Sequence, residues 1–168
     1  SKFVIVSTGT INRTLGAPGE MRYMNRGVSY CAVCDGMLYK DKEVLVVGAG
    51  NSAFEESLYL AKICKKVTIV HRTTNFRASL ELIEKVKNTE NITLITDTTI
   101  ESFNGDDVLK SVTLKGIENT YEYMVDGVFI YIGFTPCTTF LKDFDVLDNA
   151  GFIVINQDCE TNVEGLFA

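Results

Sequence analysis

The sequence is most informative first in what it lacks. Its 168 residues contain no apolar run approaching the roughly 18 residues that span a bilayer, so no membrane partner is expected. No basic stretch leads into an apolar one near the start, so nothing there reads as a signal peptide. Positive charge is not in excess: 16 Lys and Arg against 22 Asp and Glu leave a net charge of -6. The pI near 4.8 argues against a general nucleic-acid surface, which needs a basic face, but leaves room for a local basic pocket. Internal repeats and low-complexity segments are absent. There is one histidine, His71, and an odd set of five cysteines with a single close pair, Cys31 and Cys34. A secreted disulfide framework is normally even and dense, so a reducing, cytoplasmic setting is expected.

What is present fits a globular α/β chain, with 46% apolar and 23% charged residues. Both ends, "SKFVIVSTGT" and "TNVEGLFA", are apolar and strand-like, which reads as a piece excised from a longer protein. Phe3 to Ser7 reads as a buried strand, and Thr8 to Pro18 as a linker. A short helix and turn are expected between Tyr30 and Lys42, then a buried parallel strand at Glu43 to Val47. Asn51 is expected to cap a helix running to about Cys64, with Phe54, Leu58 and Ala61 on its apolar face. A strand at Lys66 to Val70, a helix at Ser79 to Lys87 with Leu80, Ile83 and Val86 on one face, and a strand at Asn91 to Thr96 complete the alternation. From Thr98 to Gly127 the period changes to two, broken by Asn104-Gly105 and Gly116, which reads as an antiparallel meander. Val128 to Ile132 returns as a buried strand, and Gly133 to Pro136 turns away. The expected fold is α/β: a Rossmann-like FAD/NAD(P)-binding domain, its parallel sheet flanked by helices, with an antiparallel β-meander crossover.

Two motifs carry chemistry. Gly48-Ala49-Gly50-Asn51-Ser52-Ala53 follows a strand and opens a helix, the context a dinucleotide loop requires. Gly48 permits the turn, Gly50 the approach of a pyrophosphate, and Ala53 close packing of helix on strand. The following strand ends in His71, Arg72 and, further on, Arg77, where an NAD site normally places an acid. Guanidinium groups bind a 2′-phosphate bidentately, so NADP(H) is expected over NAD(H). The bland reading of the arginines is a solvated cluster, and of His71 a structural residue. The second motif is Cys31-Ala32-Val33-Cys34. Its two sulfurs lie on one turn and can form a disulfide reversibly. A zinc site would need two more ligands at recognisable spacing. Cys64, Cys137 and Cys159 are isolated, so no metal is expected. Asp35 beside the dithiol is either a proton shuttle or a turn residue before Gly36.

Together these stretches resemble the low-molecular-weight, bacterial-type thioredoxin reductases. "YCAVCDG" is similar to the family's redox motif, and "VVGAGNSAFEESLYL" to its nucleotide loop and helix. "VHRTTNFRA", "YIGFTPCTTFL" and "TNVEGLFA" are similar to its later segments, in the same order. The resemblance implies an NADPH-dependent flavoprotein in which NADPH reduces FAD, FAD the disulfide, and the dithiol thioredoxin. It also implies a full-length homodimer. Cys31 and Cys34 would be the redox pair, with Cys34 nearer the flavin, Cys31 attacking thioredoxin, and Asp35 the acid/base. Gly48, Gly50, Asn51, Ser52 and Ala53 would line the pyrophosphate, and His71, Arg72 and Arg77 the 2′-phosphate. Ile132 and Gly133 would lie by the nicotinamide half. Residues 1–10 would be a remnant of the FAD domain, 11–135 the NADPH-binding domain with the redox pair, and 136–168 a truncated part of the FAD domain. FAD binding and turnover are not expected of this piece alone. Thr73 stands where the family motif has a second arginine, which keeps open a reductase fed by another donor such as ferredoxin. A nucleotide-binding module with a regulatory dithiol is the remaining alternative.

Overall fold

A computed structural model of the chain describes residues 2–168. Its strands are β1 (Val4–Ile5), β2 (Thr10–Asn12), β3 (Val28–Ser29), β4 (Glu43–Val47), β5 (Lys66–Val70), β6 (Ile92–Ile95), β7 (Thr99–Gly105), β8 (Leu109–Lys115), β9 (Thr120–Met124), β10 (Gly127–Ile130), β11 (Phe134–Pro136) and β12 (Leu166–Phe167). The helices are α1 (Ala32–Asp35), α2 (Asn51–Ala61) and α3 (Leu80–Lys87), with 3₁₀ turns at Gly36–Tyr39 and Thr139–Leu141. The chain forms two compact units. The larger is Thr14–Ile132, and the smaller joins Gly133–Ala168 to the segment ending at Arg13. No helix among the described residues is long and apolar enough to cross a membrane.

The larger unit is built on a five-stranded sheet in the order β3-β10-β4-β5-β6, with every pairing parallel. It is Rossmann-like. The β-branched runs "EVLVV" and "KVTIV" are buried on both faces, as a covered parallel sheet demands. Because strand side chains alternate, each strand feeds two different cores. Val44 and Val46 of β4 and Val67 and Ile69 of β5 pack with Phe54, Leu60 and Val86 on the helix side. Leu45, Val47 and Val70 pack with Phe103, Val112 and Leu114 of the meander β7-β8-β9 on the other. The result is a layer of α2 and α3, the parallel sheet, then the antiparallel sheet. Two details serve the layers. Tyr123 of β9 bonds through its hydroxyl to Thr68 Oγ1 at 2.8 Å, which satisfies a buried threonine on the meander side. Ser57, fully buried on α2, donates to the Ala53 carbonyl at 2.6 Å.

In the smaller unit, β1 pairs parallel with β12 and β2 antiparallel with β11. Its core is slight: Val6, Leu141 and Val146, with Leu147, Ile153, Leu166 and Ala168 against them.

Several expectations are corrected here. Phe3 to Ser7 is not a buried strand: β1 has two residues, both exposed, and Val6 alone of that run is buried. The stretch expected to be a linker contains β2, and the turn after Gly133 contains β11. Both strands lie mostly open to solvent, so neither shows the alternation that marks a strand. Asn51 is the first residue of α2 rather than its cap. Gly50 holds the N-cap position and offers no side chain. The helix ends at Ala61, short of Cys64. Leu80 is 79% exposed, and Val86 carries the burial of α3.

Cys64, buried below α2, has its thiol pushed from 9.0 up to about 11, by burial first and by Asp41 second. The unfolded chain therefore releases this proton before the folded one does. The associated stability is complete below pH 9 and is lost as pH rises toward 11. Denaturant midpoints measured across this window should fall, and the fall should be shallower in Cys64→Ala. Equal slopes in the two proteins would remove Cys64 from the account.

Candidate functional site

The dithiol sits where β3 ends. Cys31 and Cys34 form a disulfide with Cα atoms 5.3 Å apart. Cys31 is the N-cap of α1, and its Sγ accepts the Cys34 N–H at 3.2 Å. A donor aimed at this sulfur stabilises negative charge on it once the disulfide opens. Cys34 is the more exposed of the pair. Asp35 follows in α1, and Ser29 Oγ donates to its Oδ2 at 2.6 Å. The same Ser29 oxygen accepts the Cys31 N–H at 3.1 Å. One buried hydroxyl thus ties the carboxylate to the backbone of the first cysteine. Tyr131, just beyond β10, accepts the Ala32 N–H at 2.7 Å. Its hydroxyl is raised above the ordinary phenol range, by burial first and then by the Glu56 and Asp35 carboxylates, so it is neutral here.

Upstream, Tyr30 donates to Glu20 at 2.7 Å. Glu20 is fully buried and also accepts the Leu15 and Gly16 N–H groups at 3.0 and 2.7 Å. Its carboxylate is therefore well partnered. Glu56, on α2, is different: its Oε2 is buried with no hydrogen-bond partner, and burial raises its carboxyl above the usual range.

The Gly-rich loop joins β4 to α2. Gly48 has φ +140°, and a Cβ there would overlap the Tyr131 carbonyl oxygen. Glycine is required at this close approach. At Gly50 the opposite holds: an added Cβ would meet nothing within 4 Å, so the loop is open on that side. With Gly50 at the N-cap, no cap side chain bonds to the first-turn N–H groups of α2 among the described residues. Ala53 is fully buried.

The basic segment follows β5. His71 is half-buried, and its imidazole is lowered by burial first, then by Arg72 and Arg77. Both arginines are exposed, and neither forms an ion pair among the described residues. The segment is fastened to the Gly-rich loop. The Ala49 carbonyl accepts the Arg77 and Ala78 N–H groups at 2.8 and 3.1 Å. Asn51 Oδ1 accepts the Ser79 N–H at 2.9 Å. An open loop, free amides at a helix N-terminus and two unpaired guanidinium groups beside them fit the phosphates of a dinucleotide. Among the described residues no second Gly-x-Gly loop opens a helix. Nor, among them, do three His, Cys, Asp or Glu side chains converge as a metal would need.

Cys31, Cys34 and Asp35 thus form one cluster, and Gly48 through Ala53 with His71, Arg72 and Arg77 another. Ile132 ends the larger unit and packs into its meander-side core. Gly133 opens the smaller unit, where its carbonyl accepts the Arg13 N–H. Sequence reasoning missed Ser29 and Tyr131. Ser29 had a local signal, since a serine two residues before an amide commonly accepts from it. Tyr131, 99 residues from Ala32, had none.

The family model described as pyridine nucleotide-disulphide oxidoreductase matches residues 1–168. A thioredoxin reductase of Peptoclostridium acidaminophilum is 40% identical over 176 residues, which is 100% of this chain and 56% of the relative. The crystal structure of Lactococcus lactis thioredoxin reductase superposes with a TM-score of 0.91 at 39% identity, covering 99% of this chain and 56% of that one. A ferredoxin-flavin thioredoxin reductase from Clostridium acetobutylicum gives 0.58 at 28% identity, covering 98% and 52%. The chain spans about half the length of the curated relatives it matches.

Removing the Ser29 hydroxyl leaves the Cys31 N–H and the Asp35 carboxylate each short of a partner. Ser29→Ala should therefore destabilise the chain by about 1–3 kcal/mol. The check is a lower denaturant midpoint at unchanged m-value; an unchanged midpoint would mean that water replaces the hydroxyl without cost.

Proposed function

The chain belongs to the pyridine nucleotide-disulphide oxidoreductases, and from that premise we propose that it is the nucleotide-binding, dithiol-bearing part of an NADPH-dependent thioredoxin-disulfide reductase. The observation that carries the reading is Tyr131. Its carbonyl fills the space that Gly48 leaves, and its hydroxyl holds the Ala32 N–H beside the disulfide. One residue thus joins a dinucleotide loop to a redox pair within a single compact unit. In this reading residues 11–135, which include the compact unit Thr14–Ile132, are the NADPH domain with the redox pair, and residues 1–10 and 136–168 belong to an FAD domain of the longer protein. The whole protein would be a cytoplasmic homodimer.

The contacts support the following roles. The backbone amides of Gly50, Asn51, Ser52 and Ala53 at the N-terminus of α2 receive the pyrophosphate. Arg72 and Arg77, with His71, receive the 2′-phosphate. Ile132 and Gly133 lie toward the nicotinamide half. A nicotinamide held at the Gly-rich loop would supply a hydride, and an FAD in the full-length protein would relay its two electrons toward the disulfide. Two electrons and two protons convert Cys31–Cys34 to the dithiol, and Asp35, held by Ser29, handles the proton at the cysteines. The Cys31 thiolate then attacks the disulfide of thioredoxin to form a mixed disulfide. Cys34 attacks Cys31 Sγ, which closes the pair and releases reduced thioredoxin. The donor on Cys31 Sγ supports that order of roles. Thr73 favours the second reading, in which another donor such as ferredoxin feeds the disulfide. The free arginines and the open Gly50 side favour the first.

Calorimetry on the 168-residue chain should show NADP⁺ binding at least about tenfold tighter than NAD⁺, the share of a charge-assisted bidentate contact. Failure to bind either nucleotide would favour the ferredoxin-type reading. Reduced Cys34→Ser should form a stable mixed disulfide through Cys31 with a thioredoxin whose second redox cysteine is replaced by serine and whose first is activated as an aromatic mixed disulfide, the aromatic thiol being the leaving group. A trap formed only by Cys31→Ser would reverse the assigned roles.

A further inference from the structure

The Gly-rich loop and the basic segment touch at three backbone amides, and one of the acceptors is a side chain. Ala49 contributes its carbonyl to the Arg77 and Ala78 N–H groups, and Asn51 contributes Oδ1 to the Ser79 N–H. Ser79 is the N-cap of α3, and its own hydroxyl accepts the Leu82 N–H at 3.4 Å. The segment carrying Arg72 and Arg77 is therefore held at its far end, where α3 begins, by a residue of the dinucleotide loop. The Asn51 side chain is committed to this bond, while its backbone N–H remains at the open N-terminus of α2.

We propose that Asn51 is a positioning residue for selectivity toward the 2′-phosphate. Its side chain holds Ser79, and through it the backbone that presents Arg77, against the Gly-rich loop. This inference rests on the nucleotide reading above. Two parts of one residue then have separable effects. The backbone amide serves the pyrophosphate that NAD⁺ and NADP⁺ share, and the side chain serves the phosphate that only NADP⁺ carries. Asn51 is exposed, so water competes for the bond and its loss loosens the segment without unfolding α2.

The test compares NADP⁺ and NAD⁺ binding to the 168-residue chain by calorimetry. Asn51→Ala should weaken NADP⁺ by about tenfold and leave NAD⁺ within about twofold. Asn51→Asp keeps an acceptor for Ser79 but puts a carboxylate beside the shared pyrophosphate, so both nucleotides should weaken together and their ratio should hold. Because Asn51 acts through Arg77, the double variant Asn51→Ala/Arg77→Ala should bind NADP⁺ no more weakly than Arg77→Ala alone. Amide exchange at Ser79 should accelerate in Asn51→Ala and not in Asn51→Asp. Equal loss of both nucleotides in Asn51→Ala, or additive losses in the double variant, would overturn the proposal while leaving the nucleotide reading intact. A wild-type chain that binds both nucleotides alike, or neither, would overturn the nucleotide reading and this inference with it.

Discussion

The pairing of β10 with β4 sets where the chemistry of the larger unit sits. In this register Ile130 lies opposite Val47, and the Tyr131 N–H bonds to the Val47 carbonyl at 2.8 Å. The chain therefore leaves the sheet directly beside Gly48. The carbonyl of Tyr131 takes the space a side chain at Gly48 would need, and its ring reaches to the Ala32 amide. A slip of one residue would exchange the two faces of β10. Phe129, now in the helix-side core, and Val128 and Ile130, now in the meander-side core, would trade places. The tyrosine would then point away from the disulfide. The two-core burial that holds β10 in register is thus also what joins the dinucleotide loop to the redox pair.

Charge is handled differently in the scaffold and at the site. The ion pairs of the described residues, such as Lys65 with Glu43 and Lys85 with Glu81, lie on the surface and are worth little to stability. Glu20 is buried but accepts three hydrogen bonds, which offsets its loss of water. Near the disulfide and the Gly-rich loop this care lapses. Among the described residues Arg72 and Arg77 form no ion pair and Glu56 keeps a buried oxygen without a hydrogen-bond partner, while His71 is lowered by burial first and then by its cationic neighbours. Unmatched groups cluster at functional sites because a ligand or a reaction completes them. In an acidic chain, these two exposed arginines are a local concentration of positive charge rather than a basic face.

The buried parallel strands were legible because β-branched runs announce themselves without context. The meander was legible because its period-two pattern is broken by Gly and Asn at the turns. The Gly-rich loop was legible because it lies between two such signals. The rest was hidden for identifiable reasons. β3 has two residues, too few for any period. β2 and β11 are largely exposed and pair with each other across 120 or so residues of chain. Asn51 looked like a cap because its residue type favours caps, but Gly50 already occupies that place and the amide side chain is used by Ser79. Tyr131 could not be found at all, since its partners lie in segments brought near it only by the sheet.

The departure at Thr73 weighs less once the segment around it is seen. A missing arginine would be serious if the basic segment owed its position to that side chain. Among the described residues Thr73 Oγ1 accepts just the local Asn75 N–H, at 3.3 Å. The segment is instead held by backbone bonds to Ala49, by Asn51 at its end, and by Phe76, whose ring packs edge-on against Phe54 of α2. Replacing arginine by threonine therefore subtracts one cation and leaves the frame that presents Arg72 and Arg77. A frame that Thr73 leaves in place supports the proposed pyridine-nucleotide reading over the donor reading that Thr73 first suggests.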